Sequence, residues 1–410
     1  MEIRPILSSL LRTRTAPLLV AIQVALSLAV LANALFIVHL RLQAADRPSG
    51  IAEEENVGYF GRTFADQMKH PQVLAEWERE LAVLRGVPGV KAVTWGSQMP
   101  MSTSGSSSSV RVNEKQEQEV AVPSVYFVGP QFVPVLGLQV VEGRNLTDAD
   151  MVDLDPETQG YFDDFPKNVV ITRGLGEKLF PGEQSFVGKQ FLFGKAAYVR
   201  IVGVLDRLQT TQAQHGAEGE YSVLLPRRVG QARVRYILRT EPGQRDKVML
   251  AAEQALRKAA GEPVRLQVRS VSDDRQRRYR NERAMASMLI AVSGLLLLVT
   301  ASGIVGLASL RVTQRRKQIG VRRALGARRI DILRYFLVEN LMITSTGIVA
   351  GLFLGLALNA LLETRLGLPK LPVTYLAGGA LSLWVLGLLA VWGPAARAAG
   401  TSPAIATRTA

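Results

Sequence analysis

The sequence predicts a membrane α-helical protein with four transmembrane helices and a large α+β extracytoplasmic domain inserted between the first and second helices. Three observations predict it. Apolar residues gather at the N-terminus and in the last third of the 410 residues. A polar, mixed stretch of about 240 residues separates the first apolar run from the others. A short basic segment then lies between the second and third runs.

The first run, residues 18–40, follows a 17-residue tail with Arg4, Arg12 and Arg14. A helix needs ~20 residues to cross ~30 Å of hydrocarbon, so this run is long enough. A cleaved signal peptide has an apolar region of ~7–15 residues and a small-residue cleavage site. Leu42-Gln43-Ala44-Ala45-Asp46 is a poor site, and an uncleaved anchor is expected.

Residues 41–283 follow. Helical spacing predicts a helix within Arg62 to Arg85, with Pro71 starting or breaking it. β-rich runs are expected at 90–95, 121–128, 168–172, 198–204, 221–225, 234–240 and 264–270, with a second helix over 244–260. Their mixed order suits small split sheets with helices on one face. Ser102 to Ser109 reads as a mobile connecting loop. Asp148, Asp150, Asp153 and Asp155 resemble a calcium loop only loosely, because the glycine and terminal glutamate of that loop are missing. From Ser272 to Ser293 there is no proline or glycine, so a charged stalk at 272–283 should run as one helix into the second span.

The second, third and fourth spans are predicted at 284–310, 335–362 and 375–393, with a cytoplasmic loop at 311–334, a short periplasmic loop at 363–374 and a cytoplasmic tail at 394–410. Only Glu339 brings a charge into a span, near the start of the third. Ionisable residues inside a membrane mark ion and proton pathways, so their scarcity argues against ion-coupled transport. The Lys and Arg bias of the short segments places both termini and the 311–334 loop in the cytoplasm and residues 41–283 outside. In the third span Gly347, Gly351 and Gly355 recur every fourth residue, a stripe that lets another helix approach closely.

The net charge of +14 raises the question of nucleic acid. Nine of the basic residues lie between Arg311 and Arg334, flanked by apolar runs, a distribution that records membrane orientation and not a polyanion partner. The chain has no cysteine, which excludes disulfides, thiolate metal sites and cysteine nucleophiles. No G-x-x-x-x-G-K-[ST], G-x-S-x-G or H-E-x-x-H pattern occurs, and His39, His70 and His215 stand far apart. No catalytic site, cofactor site or metal site is expected.

The most informative segment runs from Gln314 to Leu333, QRRKQIGVRRALGARRIDIL. On a helix it sets apolar Ile319 and Leu325 beside basic Arg322 and Arg323. It serves either as a basic anchor for anionic headgroups or as a helix that docks on another protein. The segment resembles the hallmark of the FtsX/MacB-type ABC transporter permease family, departing in Gln318 where that family carries glutamate. Gly393-Pro394-Ala395-Ala396-Arg397-Ala398-Ala399 with Pro403-Ala404-Ile405-Ala406 resembles the family's closing motif. The stretches 143–150, 179–181, 187–189 and 201–204 are similar to its exported MacB-like periplasmic core domain.

This resemblance implies a four-span inner-membrane permease that is not itself an enzyme. Arg315, Arg316, Ile319, Gly320, Arg322, Arg323, Ala324, Leu325 and Gly326 would form the coupling site for an ABC ATPase on another chain, which would carry the ATP and Mg. A second permease copy or a sibling permease would complete the assembly, with a periplasmic adaptor and an outer-membrane tunnel as further partners. ATP-driven movement would pass through the second span to the external domain, a mechanotransmission that extrudes a peptide, antibiotic or lipid-linked molecule. Regulation of a cell-wall hydrolase or sensor kinase, and lipoprotein extraction, are the alternatives. The external domain would divide into one lobe from 55–127 and 230–272 and an inserted lobe from 128–229.

Overall fold

The computed structural model describes residues 15–65, 68–194, 197–214, 216–229, 233–260, 265–366 and 368–400. Arg4, Arg12, Arg14, His215, Val264, Arg408 and the closing 403–406 motif lie outside the described residues.

In chain order, the structure runs through α1 (Thr15–Ala45), β1 (Val57–Thr63), α2 (His70–Arg85), β2 (Val90–Gly96), β3 (Val110–Arg111), β4 (Ser124–Phe127), α3 (Phe132–Leu136), β5 (Val140–Gly143) and β6 (Val152–Leu154). It continues with β7 (Asn168–Thr172), α4 (Arg173–Leu179), β8 (Gln190–Phe193), β9 (Ala197–Leu205), β10 (Ser222–Leu225), β11 (Arg227–Val229), β12 (Arg233–Thr240), α5 (Arg245–Ala259) and β13 (Arg265–Ser270). The last elements are α6 (Val271–Gln314), α7 (Arg316–Ala324), α8 (Arg329–Leu366) and α9 (Val373–Ala399). Two compact units result, one of Ala45–Arg280 and one of the residues on either side of it.

Within Ala45–Arg280, a four-stranded sheet has the order β13-β1-β12-β2, antiparallel throughout. Helices α2 and α5 cover one face. Val73, Trp77, Leu81 and Leu84 of α2, and Val248, Met249, Ala252 and Leu256 of α5, recur at helical spacing and are buried. They pack on Phe60, Val234, Tyr236 and Leu238, every second residue of the strands beneath. The helix expected from Arg62 begins only at His70, with Pro71 in its first turn, where a missing N–H costs nothing. Arg62 and Thr63 instead end β1. The alternation of that strand is hidden in the sequence by Gly58 and Gly61, which carry no side chain to mark a face.

The second sheet runs β3-β8-β9-β7-β10-β4, with β5 on β9. Its core holds Val169, Ile171, Phe191, Phe193, Val199 and Ile201, all fully buried. Strands β3 and β4 belong to this sheet although they precede residue 128, because β4 pairs in parallel with β10 about a hundred residues later. By sheet membership, the expected first lobe therefore gives up its 110–127 portion to the inserted one. The serine-rich segment is also held, not loose. The Gln98 amide exchanges two hydrogen bonds with the Ser106 backbone, and the Thr103 N–H donates to the Thr211 carbonyl at 2.9 Å. In the Asp148–Asp155 run, Asp150 is spent on Arg144, Thr147 and Asn168, and Asp153 on Arg228.

The second unit is a helical bundle. Helices α1, α6, α8 and α9 are each long and apolar enough to cross a membrane. Each overruns its predicted span, as α1 does at Thr15–Ala45 and α8 at Arg329–Leu366. Over its apolar stretch α1 is 56% buried and α6 only 17%, so α1 is the inner helix. Some polar groups within the bundle bond one another across helices: Ser27 with Thr300 at 2.7 Å, and the Asn33 amide with the Gly355 carbonyl at 3.1 Å. In a medium without water such groups are costly unless satisfied.

Candidate functional site

The stretch from Arg311 to Tyr335 folds as helix, short helix, turn, helix. The N–H of Arg315 still bonds the Arg311 carbonyl at 3.0 Å, and that of Ile319 bonds the Arg315 carbonyl at 2.9 Å, so the chain bends without losing its backbone partners. Helix α7 is amphipathic. Ile319 and Gly320 are buried, Ile319 in a cluster with Val20, Ile332, Phe336 and Ala395. Gln318, Val321, Arg322 and Leu325 are exposed at i, i+3, i+4 and i+7, the spacing of one helix face. Leu325 is 83% exposed.

The end of α7 explains why leucine, glycine and alanine stand in that order. The Ala327 N–H bonds the Arg322 carbonyl at 3.0 Å and the Gly326 N–H bonds the Arg323 carbonyl at 3.2 Å, the paired bonds of a Schellman turn. Gly326 has φ +97°, a conformation in which a side chain is strained. Immediately after, Asp331 accepts from the Arg328 N–H at 3.0 Å and caps the start of α8. The exposed leucine thus sits at the tip of a turn whose geometry is fixed on both sides.

A charged network ties this segment to its base. Arg311 on α6 pairs with Glu339 on α8, both buried. Arg315 donates to the Tyr335 hydroxyl and lies 3.5 Å from Glu339. The Arg315 and Arg322 guanidinium carbons are 5.4 and 5.5 Å from the Tyr335 ring centroid, within cation–π range. Removing one member of a buried ion pair leaves an uncompensated charge, so this network resists dissection.

The sequence-predicted coupling residues therefore divide. Ile319 and Gly320 face the bundle interior, Arg315 is half-buried in the network, and Arg323 is half-buried with its Nε lacking an acceptor among the described residues. Arg316, Arg322, Ala324, Leu325 and Gly326 are exposed. Gly347 and Gly351 lie against α1: a Cβ on either would come 2.7 Å from the Ala21 carbonyl oxygen or 2.9 Å from that of Ala25. A Cβ on Gly355 would meet Leu376 at 3.1 Å. Sequence reasoning missed Arg311 and Tyr335. Their partners sit on another helix, and no periodicity links the two. Among the described residues no group of three or more His, Cys, Asp or Glu is placed to hold a metal.

Residues 24–263 match the MacB-like periplasmic core domain, and residues 290–403 match the FtsX-like permease C-terminal region. The macrolide export ATP-binding/permease protein MacB of Nitrosomonas europaea is 29% identical over 312 residues, 71% of this chain and 43% of that protein. MacB of Rhodospirillum rubrum is 31% identical over 248 residues, 58% of this chain and 37% of the relative. The chain thus spans 43% or less of the length of these two curated relatives. Among solved structures, the extracellular domain of the noncanonic ABC-type transporter YknZ from Gram-positive bacteria aligns with 52% of this chain and 100% of its own (TM-score 0.34, 21% identity). The periplasmic region of MacB from Actinobacillus actinomycetemcomitans aligns with 57% and 96% (TM-score 0.35, 16% identity).

Proposed function

Because this chain belongs to the FtsX-like permeases that carry a MacB-like periplasmic core domain, we propose that it is the membrane subunit through which a separate ABC ATPase moves that domain. The ATPase binds the cytoplasmic end of the bundle, and its exposed contact is the outer face of α7. The Lys and Arg bias of the chain supports this orientation, with Ala45–Arg280 outside the membrane. ATP-driven motion at α7 passes along α6, whose hydrogen bonds all lie within the helix. A second copy or a sibling permease covers the outward apolar side of α6, where Met288, Leu295 and Leu298 are 69, 62 and 63% exposed. By analogy with relatives named for macrolide export, the cargo is an antibiotic, peptide or lipid-linked molecule taken from the periplasmic side, with an adaptor and outer-membrane tunnel beyond.

The observation that carries this reading is Leu325, a large apolar side chain left in the open on a turn that the backbone holds rigid. Surface substitutions away from special features usually change stability by no more than ~0.5 kcal/mol. Leu325→Asp should therefore leave the melting temperature of the detergent-solubilised chain unchanged, yet lower the ATPase recovered with it at least about ten-fold, as loss of an interface anchor does. Arg322→Glu combined with Arg323→Glu should likewise lower the recovered ATPase, by charge, while the chain still inserts in the membrane. Wild-type recovery of ATPase with both variants, or no ATPase bound to the wild type, would sink the proposal.

A further inference from the structure

The face of the four-stranded sheet away from α2 and α5 is covered around Ile237 by Phe132 and Leu136, but carries an unusual set of side chains toward the Thr63 end. Because successive residues of a strand point to opposite faces, Tyr59, Gly61 and Thr63 of β1 share the side away from α2 and α5. The register places Thr63 between Arg233 and Arg265, Gly61 between Arg235 and Gln267, and Tyr59 between Ile237 and Arg269. All of these except Ile237, with the Ser102–Ser104 loop at one side, line a cavity of about 460 Å³. Gly61 leaves its floor open.

Four arginines converge here and one carboxylate answers them. Asp274 lies 3.4 Å from Arg269 and also accepts the Tyr59 hydroxyl. Arg235 donates to the Ser97 carbonyl, and Arg62, at the rim, is already paired with Glu80 at 3.0 Å. Arg233 and Arg265 have no carboxylate within ion-pair distance among the described residues, and the buried Nε of Arg269 has no acceptor there. Like charges on adjacent strands repel, and an anion held between them would relieve that repulsion. Thr103 at the rim has φ +67°, a left-handed conformation that non-glycine residues seldom hold except where the surroundings impose it.

We propose that this cavity is a binding site for a phosphate-bearing ligand, the group that planar guanidinium forks recognise through paired N–H bonds. The excess of positive charge favours a multiply charged oxyanion over a single carboxylate. A lipid headgroup and a soluble phosphate ester share this chemistry. The site does not depend on the coupling role assigned to α7.

Binding to the full chain in mild detergent tests the proposal, with inorganic pyrophosphate, dihexanoyl phosphatidic acid below its micelle concentration, and succinate as probes. Pyrophosphate should bind, more weakly as salt rises, and should raise the melting temperature. The double variant Arg233→Gln, Arg265→Gln, both positions exposed, should bind it at least about ten-fold more weakly, while Lys115→Gln elsewhere has no effect. Thr63→Glu places a carboxylate between the two arginines, and should stabilise the ligand-free protein and abolish binding. Tighter binding of phosphatidic acid identifies a lipid headgroup, and equal or tighter binding of pyrophosphate a soluble ester; both support the site. Succinate binding as tight as pyrophosphate, binding unaltered in both variants, or no binding at all overturns it.

Discussion

Asp150 illustrates how a residue's sequence neighbours can mislead. It stands in a run of aspartates that loosely suggests calcium, but its oxygens are occupied by the chain itself. Arg144 donates two bonds at 2.6 and 3.0 Å, Thr147 adds its N–H and hydroxyl, and Asn168 donates at 2.7 Å. The Arg144 guanidinium, helped by the Asn168 and Thr147 donors, holds the carboxyl well below the usual carboxylate range, against the opposing effect of burial. The folded pKa is depressed, so the stability this clasp contributes is complete above the unfolded value of ~3.9 and disappears as pH falls through the folded value. Asp150→Asn should cost about 1.5–3 kcal/mol at neutral pH, the range for hydrogen bonds to a charged group. Urea titrations at neutral and acid pH should show that deficit shrink below pH ~4; an equal deficit at all pH values would refute the clasp. Arg144 and Thr147 are close in sequence, but Asn168 arrives from another strand and could not be foreseen.

At the scale of elements, helices were the more legible class. Four apolar runs, two amphipathic helices and the α7 segment each carry enough turns for a 3.6-residue period to show. Strands β5, β6, β8 and β11, of three or four residues each, do not. The glycine stripe of α8 was visible as spacing, but its partner was not: the structure sets Gly347 and Gly351 on α1, with backbone oxygens in the way of any side chain. Backbone cannot yield as a flexible side chain does. Gly351→Leu should therefore destabilise the bundle by about 1–3 kcal/mol through overpacking. Gly306→Leu on α6, where a Cβ would meet nothing within 4 Å, provides the control. Equal melting temperatures for the two variants in detergent would show that the close approach is not required.

For the whole molecule, the central feature is that one helix of 44 residues, α6, contributes to both units, whose boundary falls between Arg280 and Asn281. Under the proposed function its continuity is what transmits movement. Asn281 is exposed, so Asn281→Pro breaks the helix, at ~3 kcal/mol or more, without emptying a core. The chain has no cysteine of its own, so Lys115→Cys and Thr313→Cys can carry spin labels cleanly. The distance between them should change on ATP binding to the complex, and that change should vanish with Asn281→Pro while the ATPase still co-purifies. An undiminished change in the proline variant would remove α6 as the transmitting element.

The sequence by itself determined the four apolar helices, the position of the inserted domain and the basic segment between the second and third spans. Each of these is local: a span is a continuous stretch of composition, and an amphipathic helix is a period repeated over a few turns. Tertiary structure decided which side of α7 faces outward, turning Ile319 in and leaving Leu325 out. It also joined Arg311 to Glu339 and gathered arginines from β12 and β13 around Gly61 on β1. Those pairings bring together residues tens to hundreds of positions apart. Strand register and helix packing, which no local pattern records, set them.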